Sequence, residues 1–399
     1  MKWEKKKLCE CTEYITDGDH QPAPKADKGV HFIKIKDIVN NQVSFDAQVY
    51  VPQEYYDNLP MERKPQKEDV LYTVVGSFGI PSYVQTDELF CFERNIVLLH
   101  PNKDIEPRFL YYSLKNPAFY KGVEIVANGS AQKLIPLSKL KDLKILVPDK
   151  EAQRHIADIL SAYDDLIENN QKQIKLLEEA ARRLYKEWFV DLRFPGHENT
   201  KIVDGVPEGW SVYPFSSKVD IMSGGTPKTS IPDYYNGKIP FYTPKDSDGA
   251  FFAYKTQINI TEGGLKNCNS RLYPPKTVII TARGTVGKTT ILAVPMAMNQ
   301  SCYALKMKEN DAPYYLFFAL NNEIKALQTM ANGGVFNTII GKTFDSINIQ
   351  IPKDPLIYGF EKTVRPFMEQ IKNKLQANSK LVEARDRLLP KLMSGEVKV

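Results

Sequence analysis

The octapeptide Ala282-Arg-Gly-Thr-Val-Gly-Lys-Thr289 comes within one residue of the phosphate-binding pattern G-x-x-x-x-G-K-[ST], whose backbone amides wrap a phosphate and whose lysine reaches it. Ala282 stands where the first glycine is required, and without that glycine the loop lacks the backbone freedom to wrap. The matching segment earlier in the chain, Val74-Val-Gly-Ser-Phe-Gly-Ile-Pro81, has neither the lysine nor the threonine. Both segments therefore predict a strand and turn with a tip open to contacts, not a nucleotide site. The histidines His20, His31, His100, His155 and His197 form no pair and no H-E-x-x-H, so neither a metal site nor a nucleophile–base arrangement is indicated. The cysteines Cys9, Cys11, Cys91, Cys268 and Cys302 are odd in number and lack zinc spacing, which predicts reduced thiols in the cytoplasm. The paired acids Asp164-Asp165 and Glu178-Glu179 fall on helical patterns and predict a solvated flank.

A second lure is Asn116-Pro-Ala-Phe119, close to the N-P-P-Y/F tetrapeptide with which amino-methyltransferases hold a target amine. Its second proline is replaced by Ala118, and no glycine-rich cofactor loop follows an early strand, so a helix boundary at Asn-Pro is the expectation. Catalytic residues and metal ligands are thus expected to be absent, and recognition chemistry remains. Polar donors with aromatic neighbours fall in predicted loop tips: Lys34, Lys36, Ser77, Tyr83, Gln132 and Lys133 in the first half, and Tyr242, Lys245, Arg283, Thr285, Lys288, Asn337 and Lys342 in the second. Lys, Arg, Asn and Gln are the side chains that grip phosphates and read base edges.

The elements that must position these residues occur twice. Asp69-Val-Leu-Tyr-Thr-Val-Val-Gly-Ser-Phe-Gly79 aligns with Thr277-Val-Ile-Ile-Thr-Ala-Arg-Gly-Thr-Val-Gly287, each a strand running into a Gly-x-x-Gly turn. Phe32-Ile-Lys-Ile-Lys-Asp37 parallels Phe241-Tyr-Thr-Pro-Lys-Asp246, and Arg108-Phe-Leu-Tyr-Tyr-Ser-Leu parallels Tyr314-Tyr-Leu-Phe-Phe-Ala-Leu. Leu143, Ile145 and Val147 alternate as Ile347, Ile349 and Ile351 do, each a half-buried strand ended by a proline. Trp3 and Trp210 open the two copies. After each closing proline the period becomes helical. Leu160, Tyr163, Ile167, Asn170, Ile174, Leu177, Ala181, Leu184 and Trp188 form one seam at spacings of three and four. Val364, Phe367, Ile371, Lys374, Asn378, Leu381, Arg385, Leu388 and Leu392 form the other. Pro366 is expected to mark the first turn of the second helix or a kink.

The reading is an α+β chain: two copies of one α/β module, each followed by a long helix, with the two helices packing on each other. Its segments are 1–150 (first domain), 151–193 (central spacer helix), 194–205 (linker), 206–355 (second domain) and 356–399 (C-terminal spacer helix). The net charge of +5 sharpens this little, because residues 1–150 hold 21 Lys and Arg against 21 Asp and Glu. No stretch approaches the roughly 20 apolar residues of a membrane helix.

This duplicated order resembles the specificity (S) subunit of type I restriction–modification systems. The resemblance is carried by Val206-Pro-Glu-Gly-Trp210, by Ile145-Leu-Val-Pro148 and Ile349-Gln-Ile-Pro352, by Glu151-Ala-Gln-Arg-His-Ile-Ala-Asp-Ile-Leu160, and by the paired Leu177–Leu184 and Leu381–Leu388 segments. Copy two departs from it with Pro355-Leu-Ile-Tyr at the helix entry. The resemblance implies two repeated α/β target-recognition domains separated by two long antiparallel helices that form a coiled coil. Such a chain is non-catalytic, reads a bipartite double-stranded DNA target and docks two methyltransferase (M) subunits and restriction (R) subunits. S-adenosylmethionine, ATP and magnesium would then belong to those partners, none to this chain. The alternatives are a stand-alone DNA methyltransferase and a two-headed interaction scaffold without a DNA role.

Overall fold

Val70-Leu-Tyr-Thr73 and Val278-Ile-Ile-Thr281 are strands in which every residue is buried. Both faces of their sheets are covered, so the sequence shows an unbroken apolar run where a half-buried strand would alternate. Val70 and Tyr72 pack on one side with Phe109 and Leu110, while Leu71 packs on the other with Phe90 and Leu98. The computed structural model describes residues 3–127, 133–330 and 338–399. The chain divides into two units, Met1–Ile167 with Lys380–Val399, and Glu168–Ser379.

In the first unit an antiparallel sheet orders its strands Thr12–Asp17, Ile96–Pro101, Val70–Thr73 and Pro81–Tyr83. In the second the equivalent order is Val219–Ser223, Cys302–Met307, Val278–Thr281 and Thr289–Leu292, with Phe252–Ala253 added in parallel at the edge. Each unit is tied off by a two-stranded ladder between its opening and closing strands: Glu4–Lys7 with Lys144–Val147, and Ser211–Pro214 with Asn348–Ile351. Ile145 and Val147 point inward and Lys144 and Leu146 outward, the period-two pattern expected of a strand with one buried face. The entry to the next turn is closed identically, with Leu8 N–H donating to the Leu143 carbonyl and Phe215 N–H to that of Ile347, each at 2.8 Å. The repeat is therefore one of hydrogen bonding as well as of letters.

The aromatic blocks form helices that cover these sheets. Pro107–Lys115 opens on proline, as does Pro313–Met330, because proline at the first helical position forfeits no helical hydrogen bond. The first copy breaks at Asn116 and resumes as Pro117–Val126; the second runs on.

Two long helices follow, Lys150–Tyr185, which closes in a π-helical turn Lys186–Val190, and Asp354–Ser394. The second begins at Asp354-Pro355, so Pro366 does not mark its first turn; it lies on the exposed face of the helix interior. Within each unit the two helices run antiparallel. In the second, Asn170 meets Asn378 while Tyr185 and Trp188 lie 6.0 Å from Phe360. In the first, Asp164 meets Arg385. No predicted seam position is exposed, and Leu160, Ile167, Asn170, Ile174, Ala181, Val364, Ile371 and Leu392 are buried outright. The buried face is wider than the seam, also enclosing Ile156, Ala157, Tyr185, Phe189, Ile357, Phe360, Met368 and Leu389, because the helices pack on their units as well as on each other.

Candidate nucleic-acid interface

Beyond each buried strand the chain turns through a Gly-x-x-Gly hairpin. Gly76, Gly79, Gly284 and Gly287 adopt φ of 69°, 83°, 77° and 80°, which a side chain would resist. Gly79 N–H donates to the Thr73 carbonyl at 2.8 Å, and Gly287 N–H to the Thr281 carbonyl at 2.9 Å. A strand, not a helix, follows Lys288, so the loop has no helix N-terminus with which to cradle phosphate. The strand-and-turn expectation for Ala282–Thr289 holds. A second segment clasps each hairpin from its side, with Ile135 N–H on the Val74 carbonyl at 3.0 Å and Ile339 N–H on that of Ala282 at 2.9 Å.

The neighbouring turn is likewise duplicated. Ile35–Asp37 and Pro244–Asp246 are single 3-10 turns, each closed by an aspartate that accepts the N–H of the preceding residue: Asp37 from Lys34 at 2.9 Å, Asp246 from Thr243 at 2.8 Å. This places Lys36 and Lys245 at equivalent, exposed positions. In the second unit the two features meet, since a Cβ on Gly284 would stand 3.7 Å from Pro244 Cβ. Lys245, Arg283, Thr285 and Lys288 thus form one exposed edge. In the first unit Lys133 lies 5.5 Å above the Phe78 ring of the hairpin tip, next to exposed Ser77, and Phe78 stacks on Tyr120.

Among the described residues none of Lys36, Lys133, Lys245, Arg283, Lys288 and Lys342 forms an ion pair, whereas Arg63, Arg108, Arg193 and Arg385 all do. An unpaired exposed cation retains its charge for a phosphate, which is the sequence-independent part of nucleic-acid affinity.

Several predicted residues are placed otherwise. Tyr242 is 1% exposed, a core residue packed with Tyr273, Ile279 and Met298, and as placed it offers no surface to a ligand; Phe241 beside it is buried too, so both faces of the strand are covered at this end. Tyr83 is half-buried, its ring under the Arg108 guanidinium at 5.5 Å and beside Tyr111. Lys34 is half-buried, and Lys342 is exposed on the short helix Gly341–Asp345. Gln132 and Asn337 lie outside the described residues. Asn116 spends its side-chain oxygen capping the helix after it, accepting Ala118 N–H at 3.1 Å, as a helix boundary requires.

The acids on the long helices split. Asp165 and Glu179 are exposed, but Asp164 and Glu178 turn inward. Asp164 accepts the Tyr112 hydroxyl at 2.7 Å, pairs with Arg385, and lies 3.6 Å from Lys115, whose pKa burial lowers. Two further residues were not foreseen. Gln153 and Glu361 each reach from a long helix to the N-terminus of the aromatic helix of the same unit. Gln153 accepts Glu106 N–H at 2.9 Å, and Glu361 accepts Tyr314 and Tyr315 N–H, each at 2.8 Å. The available signal was a lone polar residue on an apolar helical face.

Residues 1–179 and 207–378 match the domain described as type I restriction modification DNA specificity. The specificity subunit of the type I restriction enzyme MjaIX of Methanocaldococcus jannaschii is 29% identical over 314 residues, spanning 77% of this chain and 72% of the relative. That of HindI from Haemophilus influenzae is 25% identical over 438 residues, spanning 92% and 94%. The crystal structure of the type I restriction–modification S subunit from M. genitalium shares the fold, with a TM-score of 0.63 at 19% identity over 98% of this chain and 96% of that one.

Proposed function

The chain belongs to the type I restriction–modification DNA specificity family, and from that premise we propose that it is the recognition subunit of a DNA-methylating and DNA-cleaving complex. Each unit reads one half of a bipartite double-stranded target. One observation carries this reading: both units present the same hairpin and 3-10 turn, closed by the same hydrogen bonds and dressed with different exposed side chains. Two equal scaffolds with unequal tips suit two different half-sites. Lys36 and Lys245 would hold phosphates and fix register, while Arg283, Thr285 and Lys288 on one hairpin and Ser77 on the other would face base edges. Arg283, whose planar fork can pair with both acceptors of a guanine, is the strongest base-reading candidate.

In this reading the chain performs no chemistry. Methyltransferase subunits dock on it, restriction subunits join them, and S-adenosylmethionine, ATP and magnesium act on those partners, in the cytoplasm. No helix among the described residues is long and apolar enough to cross a membrane. The test is genome-wide mapping of methylated bases in a host carrying this chain with its methyltransferase subunits. A split motif that vanishes when the chain is deleted is expected. Methylation by the chain alone, or an assembled complex that protects no split sequence, would refute the proposal.

A further inference from the structure

We propose that Thr73 and Thr281 are positioning residues for sequence reading, each using one buried hydroxyl to set the backbone of its hairpin so that the tip side chains can vary on a fixed stem. This rests on the recognition reading above. Both threonines are 0% exposed, at the last position of a strand whose other residues are apolar or aromatic. The Thr73 hydroxyl donates to the Ser77 carbonyl at 2.6 Å and accepts Ile80 N–H at 3.0 Å. The Thr281 hydroxyl donates to the Thr285 carbonyl and accepts Lys288 N–H at 3.0 Å. One hydroxyl supplies a proton and lone pairs at once, so a single side chain clamps both sides of the turn. Valine has the same shape and can do neither; serine can do both.

The two hairpins share this stem: the threonine, two glycines at positive φ, and the amide of the second glycine on the threonine carbonyl. They differ at each tip position that reaches the surface. Val75 corresponds to Arg283, Ser77 to Thr285, Phe78 to Val286 and Ile80 to Lys288. A stem kept and a tip changed, within one chain, is what a preorganised reading head requires. A tip held before binding loses less freedom on DNA and keeps its donors aimed at one set of base edges.

The test uses the full chain assembled with its methyltransferase subunits on duplexes of its mapped target, with single base changes placed in either half. The combined Arg283→Ala, Thr285→Ala, Lys288→Ala variant identifies the half read by the second unit. Thr281→Val is expected to lower discrimination in that half alone about tenfold, the equivalent of one hydrogen bond. Thr73→Val should do the same in the other half, and Thr→Ser at either site should restore it. If Thr281→Val fails to assemble, Thr281→Ala is compared with Thr281→Ser in its place. Unchanged discrimination, equal loss in both halves, or no rescue by serine overturns the proposal. Failure of the underlying reading looks different: the wild-type complex shows no split target, or the triple variant leaves recognition untouched.

Discussion

Glu361 is 4% exposed, yet it carries a carboxyl group to the start of the helix Pro313–Met330. Burial pushes its pKa from 4.5 to about 7, opposed by the two amide hydrogen bonds from Tyr315 and Tyr314 and by nearby Arg365, and reinforced by Asp311. Because the folded state binds the proton more tightly than the unfolded one, stability falls as pH rises from about 4.5 to about 7, and the full cost persists above that. At roughly 1.4 kcal/mol per unit, the interval corresponds to about 3 kcal/mol. Glu361→Gln keeps an oxygen for both amides and removes the ionisation; Gln153 already serves the equivalent helix in that form. The variant should therefore match wild type below about pH 4 and exceed it by up to about 3 kcal/mol near pH 8. Urea unfolding followed by tryptophan fluorescence measures this, since Trp188 and Trp210 both lie in the second unit and pack in the same cluster as Phe360. Parallel pH profiles for the two proteins, or a Gln variant weaker at every pH, would show that the buried charge costs nothing and refute the reasoning.

The amide pair of Asn170 and Asn378, at 2.8 Å, should show strong coupling. Asn378→Leu alone should cost about 1–2 kcal/mol by stranding the Asn170 amide, and the double Leu variant should recover most of it in a double-mutant cycle. Asp164→Ala leaves Arg385 and Lys115 together without their shared acid and should lower the first unit's unfolding free energy by about 3 kcal/mol in denaturant titration. Gly79→Ala should cost about 3 kcal/mol or more, because a Cβ there meets the Tyr120 ring at 2.5 Å. Gly196→Ala, at a similar φ with nothing within 4 Å, should cost about 1 kcal/mol by the same measurement. Arg283→Ala should reduce the slope of log affinity against log salt by about one if the guanidinium serves a phosphate, and relax one base position if it reads an edge; neither change would remove it from the interface.

The duplication was legible because residues that make the repeat are those whose side chains or backbone angles the fold demands. The glycines of the hairpins, the alternating Ile and Val of the closing strands and the seam of the long helices all answer to local rules of period and dihedral angle. Tyr242 was misread for the converse reason. An aromatic residue beside a polar turn reads as a stacking platform in a list of letters, and the exposed Asn236 and Lys238 earlier in its strand give no warning; its burial is settled by Tyr273, Ile279 and Met298, packed against it from elsewhere in the chain. Asp164 and Glu178 were misread in the same way, since a helical pattern shows which face is apolar but not that Tyr112 and Arg385 wait opposite the first and the Phe251 backbone beside the second.

Charge makes the same point for function. A net charge of +5 over 399 residues, with a neutral first domain, predicts little about DNA. What bears on binding is which cations the fold leaves without a partner, and that is a tertiary property. Arg108 and Arg385 resemble Arg283 in sequence, yet the first two are drawn onto Asp165 and Asp164 and serve the helix packing, while Arg283 stands at a hairpin tip with its guanidinium open. An arginine already held by a carboxylate would have to give up that pair to meet a phosphate and gains little by the exchange, whereas an unpaired one keeps the whole interaction. In the proposed reading the contact surface is thus defined by place as well as by freedom: of the cations that stand outside ion pairs among the described residues, those that matter are the ones the duplicated turns and hairpins carry, such as Lys36, Lys245, Arg283 and Lys288.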